Sequence, residues 1–166
     1  FNDGVYELSR RLPIDSPSTG VSWGDFDSDN DFDLAINTPD GTLIYENSGG
    51  DLSLYFTTPD SSRDYDVAWG DFDFDGDLDF ATTSGENVFS DRIYENTGTG
   101  FVLYWSRPIM DMHRAHWIDF DLDGDLDIDL GDIIFENTGY DFIPAQVLGF
   151  GNADSEWSFC GPEFAP

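Results

Sequence analysis

A nine-residue run, Asp71-Phe72-Asp73-Phe74-Asp75-Gly76-Asp77-Leu78-Asp79, carries a carboxylate at every odd position. Like charges at that density repel one another unless a cation sits among them. Gly76, at position six, admits a positive φ and lets the backbone turn sharply. The turn folds the odd-numbered carboxylates around one point, and a set of hard oxygen donors suits Ca²⁺. Asp71, Asp73, Asp75 and Asp79 are the expected side-chain ligands. Asp77, at position seven, is expected to offer its main-chain carbonyl, as that position does in other calcium loops.

The run occurs three times. The first copy is Trp23-Gly24-Asp25-Phe26-Asp27-Ser28-Asp29-Asn30-Asp31-Phe32-Asp33. Trp69-Gly70 leads into the second, and the third is Trp117-Ile118-Asp119-Phe120-Asp121-Leu122-Asp123-Gly124-Asp125-Leu126-Asp127. Asn30 replaces glycine at position six, and Asn also adopts the left-handed conformation readily, so the same turn is expected. One Ca²⁺ per loop is expected, three in all. The metal residues are thus sought among Asp25, Asp27, Asp29, Asp31 and Asp33, then Asp71, Asp73, Asp75, Asp77 and Asp79, then Asp119, Asp121, Asp123, Asp125 and Asp127. An EF-hand would need Glu at position twelve and flanking helices. Position twelve is Ile36, Thr82 or Leu130, and the flanks read as strands.

The tryptophans at 23, 69 and 117 set a repeat of 46 and then 48 residues. A period of this length, filled with short alternating runs, belongs to strand-rich units such as propeller blades. In the first repeat Val21-Ser22-Trp23 enters the loop and Asp33-Leu34-Ala35-Ile36-Asn37 leaves it. After the turn Thr38-Pro39-Asp40-Gly41, Thr42 to Asn47 reads as a third strand. Leu52-Ser53-Leu54-Tyr55-Phe56 alternates as a fourth. The second repeat follows with Val67 to Trp69, Asp79 to Thr82, Arg92 to Asn96 and Phe101 to Trp105. The third is shorter in its middle, which requires a tight hairpin at Gly131-Asp132, and Phe142 to Phe150 is its fourth strand. The third strands end alike, as Tyr45-Glu46-Asn47-Ser48-Gly49, Tyr94-Glu95-Asn96-Thr97-Gly98 and Phe135-Glu136-Asn137-Thr138-Gly139. Asn-x-Gly is turn chemistry, and the aromatic residue is expected to pack between blades.

The reading is therefore all-β: three tandem four-stranded antiparallel propeller-like blades in one repeat domain. Residues 14–59, 60–107 and 108–150 are the repeats. Residues 1–13 look like a last strand that completes a neighbouring blade, and 151–166 form a C-terminal tail. Closed propellers use four or more blades, so this chain alone is not expected to close a ring.

Charge bounds the partners. Six Lys and Arg oppose 35 Asp and Glu, for a net charge of −29. Nucleic acid and anionic membrane surfaces are poor partners for such a chain. Its periodic acids and 16% aromatic residues argue against a disordered acidic tail. No apolar run approaches the ~18 residues of a membrane helix. Cys160 stands alone, so no intrachain disulfide is possible, and a small buried hydrophobe is its plain reading. Calcium loops of moderate affinity fill where Ca²⁺ is near millimolar, which favours the cell exterior or surface. The chain begins at Phe1 without a visible signal peptide, as expected of a processed form or a fragment.

At Trp69-Gly70-Asp71-Phe72-Asp73-x-Asp75-Gly76-Asp77-x-Asp79 the chain resembles the FG-GAP or VCBS-type repeats of integrin α-subunit-like β-propellers and bacterial surface proteins. The Tyr-Glu-Asn-x-Gly ending is similar as well, and the resemblance spans roughly residues 14 to 141. It implies a loop that joins the first two strands of each blade and stiffens it. Carried over, it implies Asp25, Asp27, Asp29 and Asp33 as ligands in the first repeat, and Asp119, Asp121, Asp123 and Asp127 in the third. Carbonyls of residues 31, 77 and 125 would complete the sites. The departure is in number, since three repeats do not close a ring.

Three functional classes follow. The first is a non-catalytic extracellular module, stiffened by calcium, for self-assembly into a filament or surface layer, or for adhesion to a protein or glycan. Open blade edges and terminal strands would join it to copies of itself. The second is a fragment of a larger ligand-binding propeller. The third, a propeller-type enzyme, finds little support. His113 and His116 flank Arg114, but a spacing of three puts two strand residues on opposite faces, and no third ligand is evident. Ser158, near Cys160, has no histidine at short range. Carboxylate pairs for glycoside hydrolysis exist among so many acids, but those in the loops are committed to metal.

Overall fold

The computed structural model describes residues 12–14, 17–59, 64–84, 90–108, 114–131 and 133–148. Among the described residues twelve strands form three antiparallel sheets. The first holds β1 (Gly20–Gly24), β2 (Asp33–Thr38), β3 (Gly41–Ser48) and β4 (Asp51–Thr57). The second holds β5 (Asp64–Gly70), β6 (Asp79–Ser84), β7 (Ser90–Asn96) and β8 (Phe101–Pro108). The third holds β9 (His116–Ile118), β10 (Asp127–Asp129), β11 (Ile133–Asn137) and β12 (Phe142–Val147). Within each sheet the strands lie side by side in chain order, as short turns between alternating runs dictate.

The twelve strands expected within the three repeats are present, and those of the first two sheets run up to four residues longer than the sequence suggested. β12 ends at Val147, and 149 and 150 lie outside the described residues. In the expected hairpin Leu130 N–H donates to the carbonyl of Ile133 at 3.1 Å, with Gly131 at φ 92°. The third and fourth strands slip register at the same place in every sheet, beside Ile44/Tyr45, Ile93/Tyr94 and Ile134/Phe135. Such a bulge bends the outer strand and increases local twist.

The second sheet lies between the other two. Phe26, Ala35 and Ile44 of the first repeat share a core with Val67, Phe80, Tyr94 and Phe101 of the second. Phe72, Ala81 and Ile93 share the next core with Ile128, Phe135 and Phe142 of the third. Tyr94 and Phe135 thus pack between sheets, as their place at the third-strand ending suggested. β2 and β6 are buried along their whole length because both of their faces are covered. Among the described residues the first and third sheets share no core, so the sheets do not close into a ring.

Two repeated contacts set the spacing between sheets. Trp69 lies over Gly24, and Trp117 over Gly70: a Cβ on either glycine would stand 2.8 or 2.6 Å from the ring. Only a bare backbone permits that approach. The indole N–H of Trp69 donates to Ser22 O at 3.3 Å, and that of Trp117 to Ala68 O at 3.2 Å. Phe26 stacks on Trp69 and Phe72 on Trp117, both at 6.0 Å between ring centroids.

The opposite ends of the strands carry buried polar groups. Thr42 Oγ1 lies 2.8 Å from both Asn37 Oδ1 and Asp64 Oδ2, joining the first sheet to the second. Arg107 Nε donates to Asp91 Oδ2 at 2.8 Å, while its guanidinium sits 4.8 Å over the Phe135 ring. That pair ties the second sheet to the third.

Candidate metal centres

Each aspartate loop joins the first and second strands of its sheet. Two residues in the left-handed region make the turn. At position six these are Asn30 (φ 73°), Gly76 (98°) and Gly124 (102°), as the sequence required. At position four they are Ser28 (60°), Phe74 (60°) and Leu122 (65°), which the sequence did not announce. Bulky residues rarely adopt this conformation, and each costs of order 1 kcal/mol. Phe74 and Leu122 are exposed, so no packing of their side chains offsets the strain. The strain is stored where the backbone must wrap the carboxylates.

The wrap brings one oxygen each of Asp25, Asp27 and Asp29 within 4.8 Å of one another in the first loop. In the second loop the same holds for Asp71, Asp73 and Asp79, and in the third for Asp119, Asp121 and Asp127. Positions one and three therefore meet in every loop. The third member is position five in the first loop and position nine in the other two. Asp33, Asp75 and Asp123, also expected as ligands, lie outside these tightest groups, as do Asp31, Asp77 and Asp125.

Hydrogen bonds hold the ring in shape. Position-five carboxylates accept the N–H two residues on: Asp29 from Asp31 at 2.8 Å, Asp75 from Asp77 at 2.9 Å, Asp123 from Asp125 at 3.1 Å. Asp25 accepts the N–H groups of Asp29 and Asn30, both at 3.0 Å. Asp31 Oδ2 accepts Gly49 N–H at 2.7 Å, so this position-seven carboxylate faces the third-strand turn.

Position nine plays a second part. Asp33, Asp79 and Asp127 are fully buried, and each accepts two backbone N–H groups. One comes from position two of its own loop: Phe26 at 2.9 Å, Phe72 at 3.0 Å, Phe120 at 2.8 Å. The other comes from the third strand: Asn47, Asn96 and Asn137, each at 2.8 Å. The Asn side chains then reach across sheets. Asn96 Nδ2 donates to Phe26 O, and Asn137 Nδ2 to Phe72 O, both at 2.9 Å. The sequence suggested turn chemistry alone for these residues. They also make it, since Asn96 Oδ1 and Asn137 Oδ1 accept Gly98 and Gly139 N–H.

Negative charge accumulates without compensation. Burial pushes the Asp79 carboxyl up to about 7, against the pull of the Asn96 and Phe72 N–H groups. Burial also raises Asp33, Asp27 and Asp73, with neighbouring loop carboxylates adding to it. Burial, then repulsion from Asp123 and Asp127, lifts Asp125 to about 6. Asp71 Oδ1, Asp119 Oδ1 and Asp125 Oδ1 are buried side-chain oxygens without a hydrogen-bond partner. An orphaned buried carboxylate oxygen is costly in any fold, and a bound cation removes that cost. Oxygen-only donors in a turn braced by backbone N–H groups could hold a hard metal ion at each of the three loops.

Among the described residues no further group of metal-ligating side chains gathers into a site. His116 is exposed on β9, opposite Asp129 in register, and His113 lies outside the described residues. Cys160, Ser158, the tail 151–166 and the expected strand before residue 12 also lie outside them. Among the described residues no helix is long and apolar enough to cross a membrane. No protein-family model matches the chain, and no curated protein matches it.

Proposed function

We propose that this chain is a non-catalytic extracellular repeat module that binds three Ca²⁺ ions and serves in structural assembly or adhesion. Its three sheets are propeller-like blades of the FG-GAP or VCBS type. The observation that carries this reading is the threefold recurrence of one arrangement. In each loop an oxygen-only carboxylate cluster forms, and the buried position-nine aspartate, which belongs to the cluster in the second and third loops, is bonded to the third strand of its sheet. A cation there fixes the loop, and the loop fixes the sheet. Ca²⁺ is favoured over Mg²⁺ because a flexible ring of carboxylates and carbonyls suits six to eight ligands, whereas Mg²⁺ demands tight octahedral geometry and keeps its water. Sites of this kind in extracellular modules have dissociation constants of about 10⁻⁴ to 10⁻³ M. Millimolar Ca²⁺ then contributes about 0.4 to 1.4 kcal/mol per site.

The test is the unfolding midpoint in EDTA, in millimolar Mg²⁺ and in millimolar Ca²⁺. The reading expects a rise of several degrees in Ca²⁺ and much less in Mg²⁺. Coincident midpoints in all three conditions would remove its basis.

A further inference from the structure

The position-two residue of each loop stands between the two aspartates that meet in every cluster. Phe26 lies between Asp25 and Asp27, and Phe72 between Asp71 and Asp73. An ion that draws those neighbours together fixes both peptide planes of the phenylalanine. One plane offers its N–H to the position-nine carboxylate of the same loop: Phe26 to Asp33 at 2.9 Å, Phe72 to Asp79 at 3.0 Å. The other turns its carbonyl to the next sheet, where an asparagine side chain donates to it. Both rings are buried in the close-packed cores between sheets, so neither backbone shifts without moving its neighbours.

These asparagines are used to capacity. Asn96 gives its backbone N–H to Asp79 at 2.8 Å, and its Nδ2 hydrogens to Leu78 O at 3.3 Å and Phe26 O at 2.9 Å. Its Oδ1 accepts Gly98 N–H at 3.1 Å. Asn137 repeats the set with Asp127, Leu126, Phe72 and Gly139. One residue therefore holds positions eight and nine of its own loop and position two of the loop before. An ionised aspartate could not stand in for it, having no side-chain hydrogen to donate.

The bonds join end to end. From Asp127 of the third loop they pass through Asn137 to Phe72 and Asp79 of the second, then through Asn96 to Phe26 and Asp33 of the first. Asn47 offers the contrast. Among the described residues its Nδ2 donates to Phe32 O of its own loop, at 3.0 Å, and to no other loop.

We propose that Asn96 and Asn137 are positioning residues that couple the three loops, so that an ion in one loop raises the calcium affinity of the loop bonded to it. This rests on the calcium reading above and adds the regulation of those sites. Ordering a loop around its ion costs conformational entropy. The shared asparagine carries part of that order to the next loop, and the next ion has less left to order. The effect is reciprocal, as binding free energies require. Charge acts in the opposite sense. Each ion brings two positive charges to a chain of net charge −29, which weakens the attraction for the next within a screening length of ~8 Å. The sign of the coupling separates the two routes.

The test is a calcium titration followed by nuclear magnetic resonance at physiological ionic strength, with the amide signals of Asn30, Gly76 and Gly124 reporting the three loops separately. Asp73→Ala empties the second loop and leaves every bond of the series in place. The first and third loops should then fill at calcium concentrations at least about fivefold higher than in the unaltered chain. On an Asn96→Ala background, Asp73→Ala should no longer move the first loop's midpoint, while the third loop still responds. Asn137→Ala should give the reverse. Asn47→Ala should alter the first loop's own midpoint and keep its dependence on the second, which a merely structural role for Asn96 would not predict. The dispersion of the amide spectrum shows that each variant is folded. Midpoints of the first and third loops that Asp73→Ala leaves unmoved, or lowers, would overturn the coupling without recourse to any asparagine variant. A shift that survives both Asn96→Ala and Asn137→Ala would overturn it too. Three loops that fill independently would leave the calcium reading standing, whereas loops that ignore calcium would overturn both.

Discussion

Asp79 accepts the backbone N–H of Asn96 at 2.8 Å while its other oxygen accepts that of Phe72 at 3.0 Å. The same carboxylate lies in the cluster with Asp71 and Asp73. One buried side chain thus belongs both to the candidate metal centre and to the hydrogen bonding that joins the loop to β7. Asp73 has only the first of these roles, being exposed in the loop.

The two residues should separate in mutagenesis. Asp73→Ala is expected to lower the unfolding midpoint in Ca²⁺ and to leave the EDTA-treated chain nearly unchanged. Asp79→Ala strands two buried N–H groups and should cost about 1–3 kcal/mol in EDTA as well. Denaturant unfolding of both variants in both conditions checks this. Equal losses for Asp73→Ala with and without Ca²⁺ would contradict the ligand assignment.

Proton and metal should compete. Burial holds the Asp79 carboxyl near 7 in the fold, against an ordinary 3.8 in the unfolded chain. Between those values the folded protein retains a proton that the unfolded chain has released. Stability in EDTA should therefore fall as pH rises through that window. Calcium requires the deprotonated carboxylate, so its binding releases protons and its stabilising increment should grow over the same interval. Melting curves across pH in EDTA and in Ca²⁺ should diverge towards neutral pH. Parallel curves would deny the coupling.

Phe74 and Leu122 carry backbone strain without packing in return. Phe74→Gly or Leu122→Gly should remove it, set against the greater unfolded-state entropy of glycine. The expected result is a gain or a loss of under about 1 kcal/mol, unlike the clear loss that glycine causes in a regular strand. A loss above ~2 kcal/mol in chemical denaturation would show that these side chains do something the structure does not reveal.

At Gly70 a methyl group would stand 2.6 Å from Trp117 Cδ1. Gly70→Ala should therefore destabilise by about 1–3 kcal/mol through overpacking between the second and third sheets. Trp117→Leu in the same chain should relieve part of that loss, giving a non-additive double-mutant cycle. Strict additivity would mean that the two residues do not meet.

Much of this was legible in the sequence because its signals are local. The alternating aspartates announce a loop that gathers carboxylates, and Asn30, Gly76 and Gly124 announce its turn. Aromatic alternation between turn residues announces the strands, down to the short hairpin at Gly131. The left-handed backbone at Phe74 and Leu122 was not legible, because neither residue type favours it. The inter-sheet bonds of Asn96 and Asn137 were hidden for another reason, since their partners Phe26 and Phe72 lie a whole repeat and more away. The polar junction of Asn37, Thr42, Asp64 and Thr82 likewise exists only once two sheets meet.

The central claim is that each loop holds one calcium ion. Isothermal titration of the metal-free chain with Ca²⁺, alongside Asp73→Ala, tests it most directly. The account predicts a stoichiometry of three per chain, one for each carboxylate cluster, and two for the variant. Absence of saturable binding at millimolar Ca²⁺, or an unchanged stoichiometry in the variant, would contradict it.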